Sequence, residues 1–134
     1  MLKVFVYGTL KPGGRYHRQY CAADLVTAIP ALTHGQLYDF PQLGYPGMTP
    51  GPDWVQGHLL TFRSEQVLVD LDGLEDYDPT RPMAENEYWR EEVKVFDLNY
   101  QTLGMAWVYF MDEERSRALG GVYLADGNWP VDTR

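Results

Sequence analysis

With a single cysteine, Cys21, in 134 residues, the chain can close no internal disulfide. Together with a strand-like start in place of a charged and apolar leader, this reads as a cytoplasmic protein. No apolar run approaches the ~18 residues a membrane helix needs, so a soluble chain with no membrane partner is expected. Basic residues are also scarce: 11 Lys and Arg stand against 19 Asp and Glu, for a net charge of −8. A nucleic-acid partner calls for the opposite balance and is not expected. The two small basic pairs, Arg15 with Arg18 and Arg115 with Arg117, are diluted by acids or aromatics and read as solvated surface. Three histidines and one cysteine without close ligand spacing give no zinc site. There is no G-x-S-x-G elbow, P-loop or G-x-G-x-x-G fingerprint, since Gly13-Gly14 lacks a Lys-Ser/Thr sequel and opens no clear helix. Neither a metal nor a cofactor is therefore expected, and the sequence leaves the oligomeric state open.

What is present favours sheet and turn. Gly (13), Pro (9) and Tyr (10) are abundant, and a 45% hydrophobic composition supports one domain, residues 1–134, in which β outweighs α. Leu2, Val4 and Val6 alternate with Lys3, Phe5 and Tyr7, predicting a strand buried on at least one face. Gly8 ends it with a turn other residues resist, and Lys11-Pro12-Gly13-Gly14 forbids its continuation. Such a strand end exposes backbone N–H groups where an anionic or oxyanionic group can be held; an ordinary strand end has the same signature.

Further along, residues 15–26 carry a short helical pattern in Tyr16, Gln19-Tyr20 and Ala23, with Pro30 closing the region. A strand is placed at residues 31–40, with Gly35 marking a bulge or a close approach. Residues 41–53, punctuated by Pro41, Gly44, Pro46, Gly47, Pro50, Gly51 and Pro52, read as a long rigid loop. Residues 54–62 alternate as a strand. Ser64 then offers a helix cap, and Val67, Leu68, Leu71 and Leu74 form one buried face that ends at Tyr77-Asp78-Pro79. After a polar insertion at residues 78–86, residues 88–98 and 103–111 read as a hairpin. The tail offers a helical turn at residues 113–119 and no strong periodicity.

Glu75 follows Leu74 at the helix C-terminus, where the macrodipole disfavours further negative charge and Asp70, Asp72, Asp76 and Asp78 crowd the segment. A carboxylate so placed binds its proton more readily, as general acid or base chemistry requires; the plain alternative is a solvated helix end. His17 and Cys21 are four apart, but Tyr20-Cys21-Ala22-Ala23 is an apolar setting that favours an inert packed thiol. His34 and His58 read as satisfied strand histidines. Tyr7, Tyr16, Tyr38, Tyr45, Tyr88, Tyr109, Trp107 and Trp129 are available to a small-molecule pocket or to the core, and composition does not divide them.

Taken in order, these segments resemble the γ-glutamylcyclotransferase-like family. Val6-Tyr7-Gly8-Thr9-Leu10-Lys11 is similar to its Y-G-[ST]-L opening, Gly44-Tyr45-Pro46-Gly47 to its Y-P loop, and Leu71-Asp72-Gly73-Leu74-Glu75 to its L-D-x-x-E helix end. Tyr88-Trp89-Arg90 with Val93 is similar to its Y-x-R-x-x-V strand, and Asp126-Gly127-Asn128-Trp129 to its terminal glycine–tryptophan signature. The match spans nearly the whole chain. It implies an α+β fold: a compact mixed, barrel-like sheet with a few flanking helices and Glu75 at its mouth. It also implies that Tyr7, Gly8, Thr9 and Leu10 hold a γ-glutamyl group through backbone N–H groups, that Glu75 is the catalytic acid/base, and that Tyr88 and Tyr109 contact substrate. The implied activity is a cofactor-free acyl transfer of cyclising, lyase type. In it the α-amine of a small γ-glutamyl substrate attacks its own γ-carbonyl, forms 5-oxoproline and releases an amine. The alternative is a non-catalytic small-molecule binding module of the same fold. Two departures from the family pattern bear on substrate scope: Asp76 stands where a Gly usually follows the Glu, and the polar insertion through Glu87 is longer than in the shortest members.

Overall fold

The computed structural model describes residues 1–130. Along them run β1 (Leu2–Val6), α1 (His17–Tyr20), β2 (Leu25–Phe40), β3 (Tyr45–Phe62), α2 (Gln66–Leu74), β4 (Trp89–Phe96), β5 (Thr102–Phe110), α3 (Glu113–Ala118) and β6 (Val122–Tyr123), with short 3₁₀ turns at Ala22–Asp24 and Met83–Glu85. The alternating run of β1 is buried on both faces. Val4 and Val6 pack with Leu60, Phe62, Val67 and Leu71, in the layer that includes α2. Phe5 and Tyr7 pack with Leu37, Val55, Val95 and Val108, a second apolar cluster contributed by the strands. β1 is therefore shared by both clusters.

The sheet runs β3-β1-β5-β4-β2 and closes because β2 pairs again with β3. All these pairings are antiparallel except β1 beside β5, where Val4 faces Trp107. The expected α+β architecture with a barrel-like sheet is what the chain adopts. The hairpin expected at residues 88–111 is β4 with β5, in register from Trp89 opposite Phe110 to Val95 opposite Gly104, with an irregularity before Phe96 meets Thr102. The helical turn near residue 113 is α3, capped by the Asp112 carboxylate, which accepts the Arg115 N–H.

Three expectations need correction. The helical pattern at residues 15–26 forms only the four-residue α1 and a 3₁₀ turn, because β2 already begins at Leu25. Pro30 lies inside β2 opposite His58 and does not close the region. Among the described residues, β2 from Leu25 to Pro30 pairs with β3 alone, so a residue without an N–H is tolerated there. The long loop at residues 41–53 is also largely strand. Only residues 41–44 turn, while Tyr45 to Thr49 face Phe40 back to Gln36. His34 then faces Trp54, so residues 50–53 bulge out opposite Gly35, and the bulge relieves Pro50 and Pro52 of any ladder donor. Gly35 is both the irregularity and the close approach expected of it, since a Cβ there would lie 2.7 Å from Met48 Sδ. The two-residue β6 was absent from the sequence expectation.

Candidate active site

β1 ends by carrying Tyr7 into a tight loop. Its closing hydrogen bonds run from Lys11 N–H to the Gly8 carbonyl (3.0 Å), Gly14 N–H to the Lys11 carbonyl (2.7 Å) and Tyr16 N–H to the Thr9 carbonyl (2.9 Å). The N–H groups of Gly8, Thr9 and Leu10 donate none of these bonds. Gly8 is not at positive φ; the reason for glycine there is space, since a Cβ would come within 2.6 Å of Pro46 Cγ. The left-handed turn falls at Gly13, φ +84°. From the far side, Lys11 Nζ donates to the Trp129 carbonyl at 2.6 Å, and His17 Nδ1 sits 2.8 Å from the Leu10 carbonyl. The C-terminal Gly–Trp segment and α1 thus both hold the loop.

α2 has Glu65 at its N-cap position, one residue after the Ser64 the sequence offered, whose hydroxyl still accepts the Gln66 N–H at 3.1 Å; Val67 and Leu71 are buried. Its end positions Glu75. The Tyr77 N–H bonds the Asp72 carbonyl (2.9 Å) and the Asp76 N–H the Gly73 carbonyl (3.3 Å), while Asp76 adopts φ +53°. This is a Schellman stop with an aspartate in the left-handed position that glycine usually takes. Arg81 Nη2 compensates by donating to both the Asp76 carbonyl (2.7 Å) and Oδ1 (2.8 Å). One turn earlier, Asp72 Oδ1 accepts from Arg90 Nε (2.8 Å) and Tyr109 Oη (2.7 Å), and Arg90 lies over the Trp107 ring at 4.4 Å. These contacts fasten the end of α2 to β4 and β5.

The result is a cavity of about 250 Å³ lined by all seven residues singled out in the sequence: Tyr7, Gly8, Thr9, Leu10, Glu75, Tyr88 and Tyr109. Tyr16, Tyr45, Pro46 and Glu87 complete much of the wall. Trp107, by contrast, stacks under Arg90, and the Trp129 indole N–H donates to Asp39 Oδ1 at 2.9 Å, so neither lines it. The tyrosine hydroxyls are committed donors: Tyr7 to the Tyr109 carbonyl (2.7 Å), Tyr88 to the Pro46 carbonyl (2.7 Å) and Tyr109 to Asp72. Burial above all holds the three hydroxyls above the ordinary phenol range. Burial and then the Glu87 carboxylate push Glu75 from the ordinary carboxyl value of 4.5 up to about 8. The direction agrees with the sequence expectation, but the causes are burial and one facing acid, in place of the helix-end aspartates.

Glu87 and its bond from Tyr45 Oη, 2.5 Å to Oε1, were missed. An acid at the end of a polar insertion gives no signal that separates it from solvated surface. The insertion is ordered by Asn86, whose Oδ1 accepts from the Asp78 N–H (3.0 Å) and Arg81 Nε (2.7 Å). Arg115 Nη1 donates to the Asn86 carbonyl at 3.1 Å, so Arg115 is not simply solvated surface. Cys21 is buried and its thiol pushed up to about 12 by that burial, consistent with a packed, inert group. His58 departs from expectation: its Nδ1 is buried without a hydrogen-bond partner, and burial followed by Lys11 and His17 lowers its pKa. His34 Nδ1 reaches the Pro52 carbonyl at 3.3 Å. Among the described residues no helix is long and apolar enough to cross a membrane.

Comparison with known proteins gives the same assignment as the motif order. The family model described as "Gamma-glutamyl cyclotransferase, AIG2-like" matches residues 4–131. A Vibrio cholerae chain provisionally named a gamma-glutamylcyclotransferase is 33% identical over 111 residues, 82% of each chain. The gamma-L-glutamyl-butirosin B gamma-glutamyl cyclotransferase of Niallia circulans is 33% identical over 116 residues, 84% of this chain and 70% of its own. The crystal structure of an AIG2-like protein from mouse superposes with TM-score 0.74 at 22% identity, covering 97% of this chain and 88% of that one. With its barrel, its N-terminal loop and its helix-end carboxylate in the places described, the chain belongs to the AIG2-like γ-glutamyl cyclotransferase family.

Proposed function

We propose that this chain cyclises a γ-glutamyl amine to 5-oxoproline and releases the amine, with Glu75 as general base and then general acid. The observation that carries the reading is a buried carboxyl of raised proton affinity lining a cavity, beside a loop whose N–H groups at Gly8, Thr9 and Leu10 are not used to close the loop. A substrate folded in that volume brings its α-amine to its own γ-carbonyl, and the enforced proximity replaces a bimolecular encounter. The α-amine arrives as an ammonium and must lose a proton before attack. A carboxyl moved from 4.5 to about 8 approaches the range in which an α-ammonium titrates, so that transfer costs little. Attack forms the ring C–N bond and places negative charge on the carbonyl oxygen, where the loop N–H groups would receive it. Collapse breaks the bond to the leaving nitrogen as Glu75 returns the proton to it, and the ring nitrogen sheds its second proton, which the released amine takes up as it leaves as an ammonium. The named relatives, one of them a cyclotransferase for a γ-glutamyl conjugate, support the reaction class.

A panel of γ-glutamyl amines scored for 5-oxoproline release tests this directly, with each substrate also offered as its N-acetyl derivative. The free substrates release amine and 5-oxoproline in equal amounts, and N-acetylation stops both. Amine release at a comparable rate from an N-acetylated substrate would mean attack by water and a hydrolase.

A further inference from the structure

Two carboxylates line the cavity, Glu75 and Glu87, and among the described residues no Lys, Arg or His does. Every γ-glutamyl donor nonetheless brings a permanent negative charge into it, its α-carboxylate. The loop that lines the cavity through Gly8, Thr9 and Leu10 continues directly into Lys11, which is only 5% exposed. Lys11 N–H closes the turn onto the Gly8 carbonyl, so its side chain and the open N–H groups belong to one rigid unit. Its ammonium meets neutral acceptors: the Trp129 carbonyl at 2.6 Å and, further off, Asn128 Oδ1 at 3.5 Å. It forms no ion pair among the described residues, although the chain has 19 acids to offer. Burying an ammonium without a countercharge is costly, and a neutral side chain would tie the two segments together for less. The charge is also felt locally. His58, whose Nδ1 is buried without a partner, is held below the ordinary imidazole value by burial and then by Lys11 and His17.

Resting on the cyclotransferase reading, we infer that Lys11 is a positioning residue for the donor half of the substrate: its buried ammonium, acting through the loop, supplies the positive charge against which the α-carboxylate of the γ-glutamyl group is held. Two carboxylates in the same cavity would otherwise repel that group. The α-carboxylate stays charged from substrate to product, so a fixed cation behind open N–H groups steadies it throughout. The same carbon bears the α-amine, and anchoring it narrows the poses from which the amine can attack. The Gly–Trp segment near the C-terminus enters the account through the Trp129 carbonyl, which fixes the ammonium behind the loop. Lys11 thus favours donors with a free α-carboxylate over donors in which it is blocked as an amide.

Two rings of nearly equal shape isolate the charge: 5-oxoproline, which carries the carboxylate, and 5-oxoprolinamide, which does not. In calorimetry, wild type binds the acid about tenfold or more tightly than the amide. Lys11→Gln keeps an N–H for the Trp129 carbonyl and Lys11→Met keeps the apolar stem. Both bring the two Kd values together, by weakening the acid about 10- to 30-fold. Lys11→Arg keeps the charge and most of the preference. Because both rings are compared in the same variant, a loosened loop weakens them alike and leaves their ratio unchanged. Turnover of γ-glutamyl-butylamine and of its α-carboxamide follows the same pattern in KM, with the gap closed in Lys11→Gln. An undiminished preference for the acid in Lys11→Gln and Lys11→Met, equal weakening of both rings, or no preference in wild type overturns the inference while leaving cyclisation intact. A preference in wild type that Lys11→Gln abolishes, with no 5-oxoproline formed from any γ-glutamyl amine, overturns cyclisation while leaving the role of Lys11 intact.

Discussion

At the scale of one residue, Glu75 combines the chemistry and its cost. Between 4.5 and about 8 the folded chain keeps a proton on Glu75 that the unfolded chain has released. The stability contributed by this group is thus greatest below that window and declines as pH rises through it. Glu75→Gln abolishes the titration. Its melting temperature relative to wild type should rise from pH 4.5 to 8 and level off above, as differential scanning calorimetry across that range would record. Parallel melting curves at every pH would show that the carboxyl is not held protonated by the fold. The sequence pointed to this residue because a stripe of Val67, Leu68, Leu71 and Leu74 fixes which side of the helix Glu75 borders. It could not supply the cause of the shift, because Glu87 faces Glu75 only after the residues between them, 76–86, have folded back.

At the scale of the element, the stop of α2 explains why Asp76 is tolerated where the family pattern has glycine. The left-handed conformation costs a residue with a Cβ about 1 kcal/mol, less for aspartate than for alanine, and the exposed pair with Arg81 offsets part of that cost. Asp76→Gly exchanges one for the other and should be about as stable as wild type with kcat retained. Asp76→Ala keeps the strain and loses the pair, and should be less stable by about 1 kcal/mol in urea titrations. Equal stability of the Ala and Gly variants would contradict a left-handed residue 76. The insertion that carries Arg81 reads in the sequence only as polar, because the bonds made by Asn86 are not periodic. The first half of β3 was hidden for a related reason: proline is a fair sign of loop until a four-residue bulge removes its need to donate, and such a bulge leaves no local signature.

At the scale of the molecule, closure of the sheet brings the site together. β1 passes between β3 and β5, so the loop after Tyr7 meets Pro46 from β3, Tyr88 just before β4 and Tyr109 from β5 around one cavity. Strand alternation made β1, the second half of β3 and the β4–β5 hairpin legible. The closure itself rests on long-range pairings such as Leu32 with Phe96, which no local pattern encodes. The ordered family motifs carried the site further than periodicity did, since they name residues from four elements that only the barrel makes neighbours. The account stands or falls on Glu75 as the proton carrier, so steady-state 5-oxoproline release by wild type and Glu75→Gln, with substrate affinity and folding measured in parallel, tests it most directly. Loss of about 10²- to 10⁴-fold in kcat with Kd little altered is the predicted result; near-normal kcat in Glu75→Gln, or no 5-oxoproline from wild type with any γ-glutamyl amine, would contradict it.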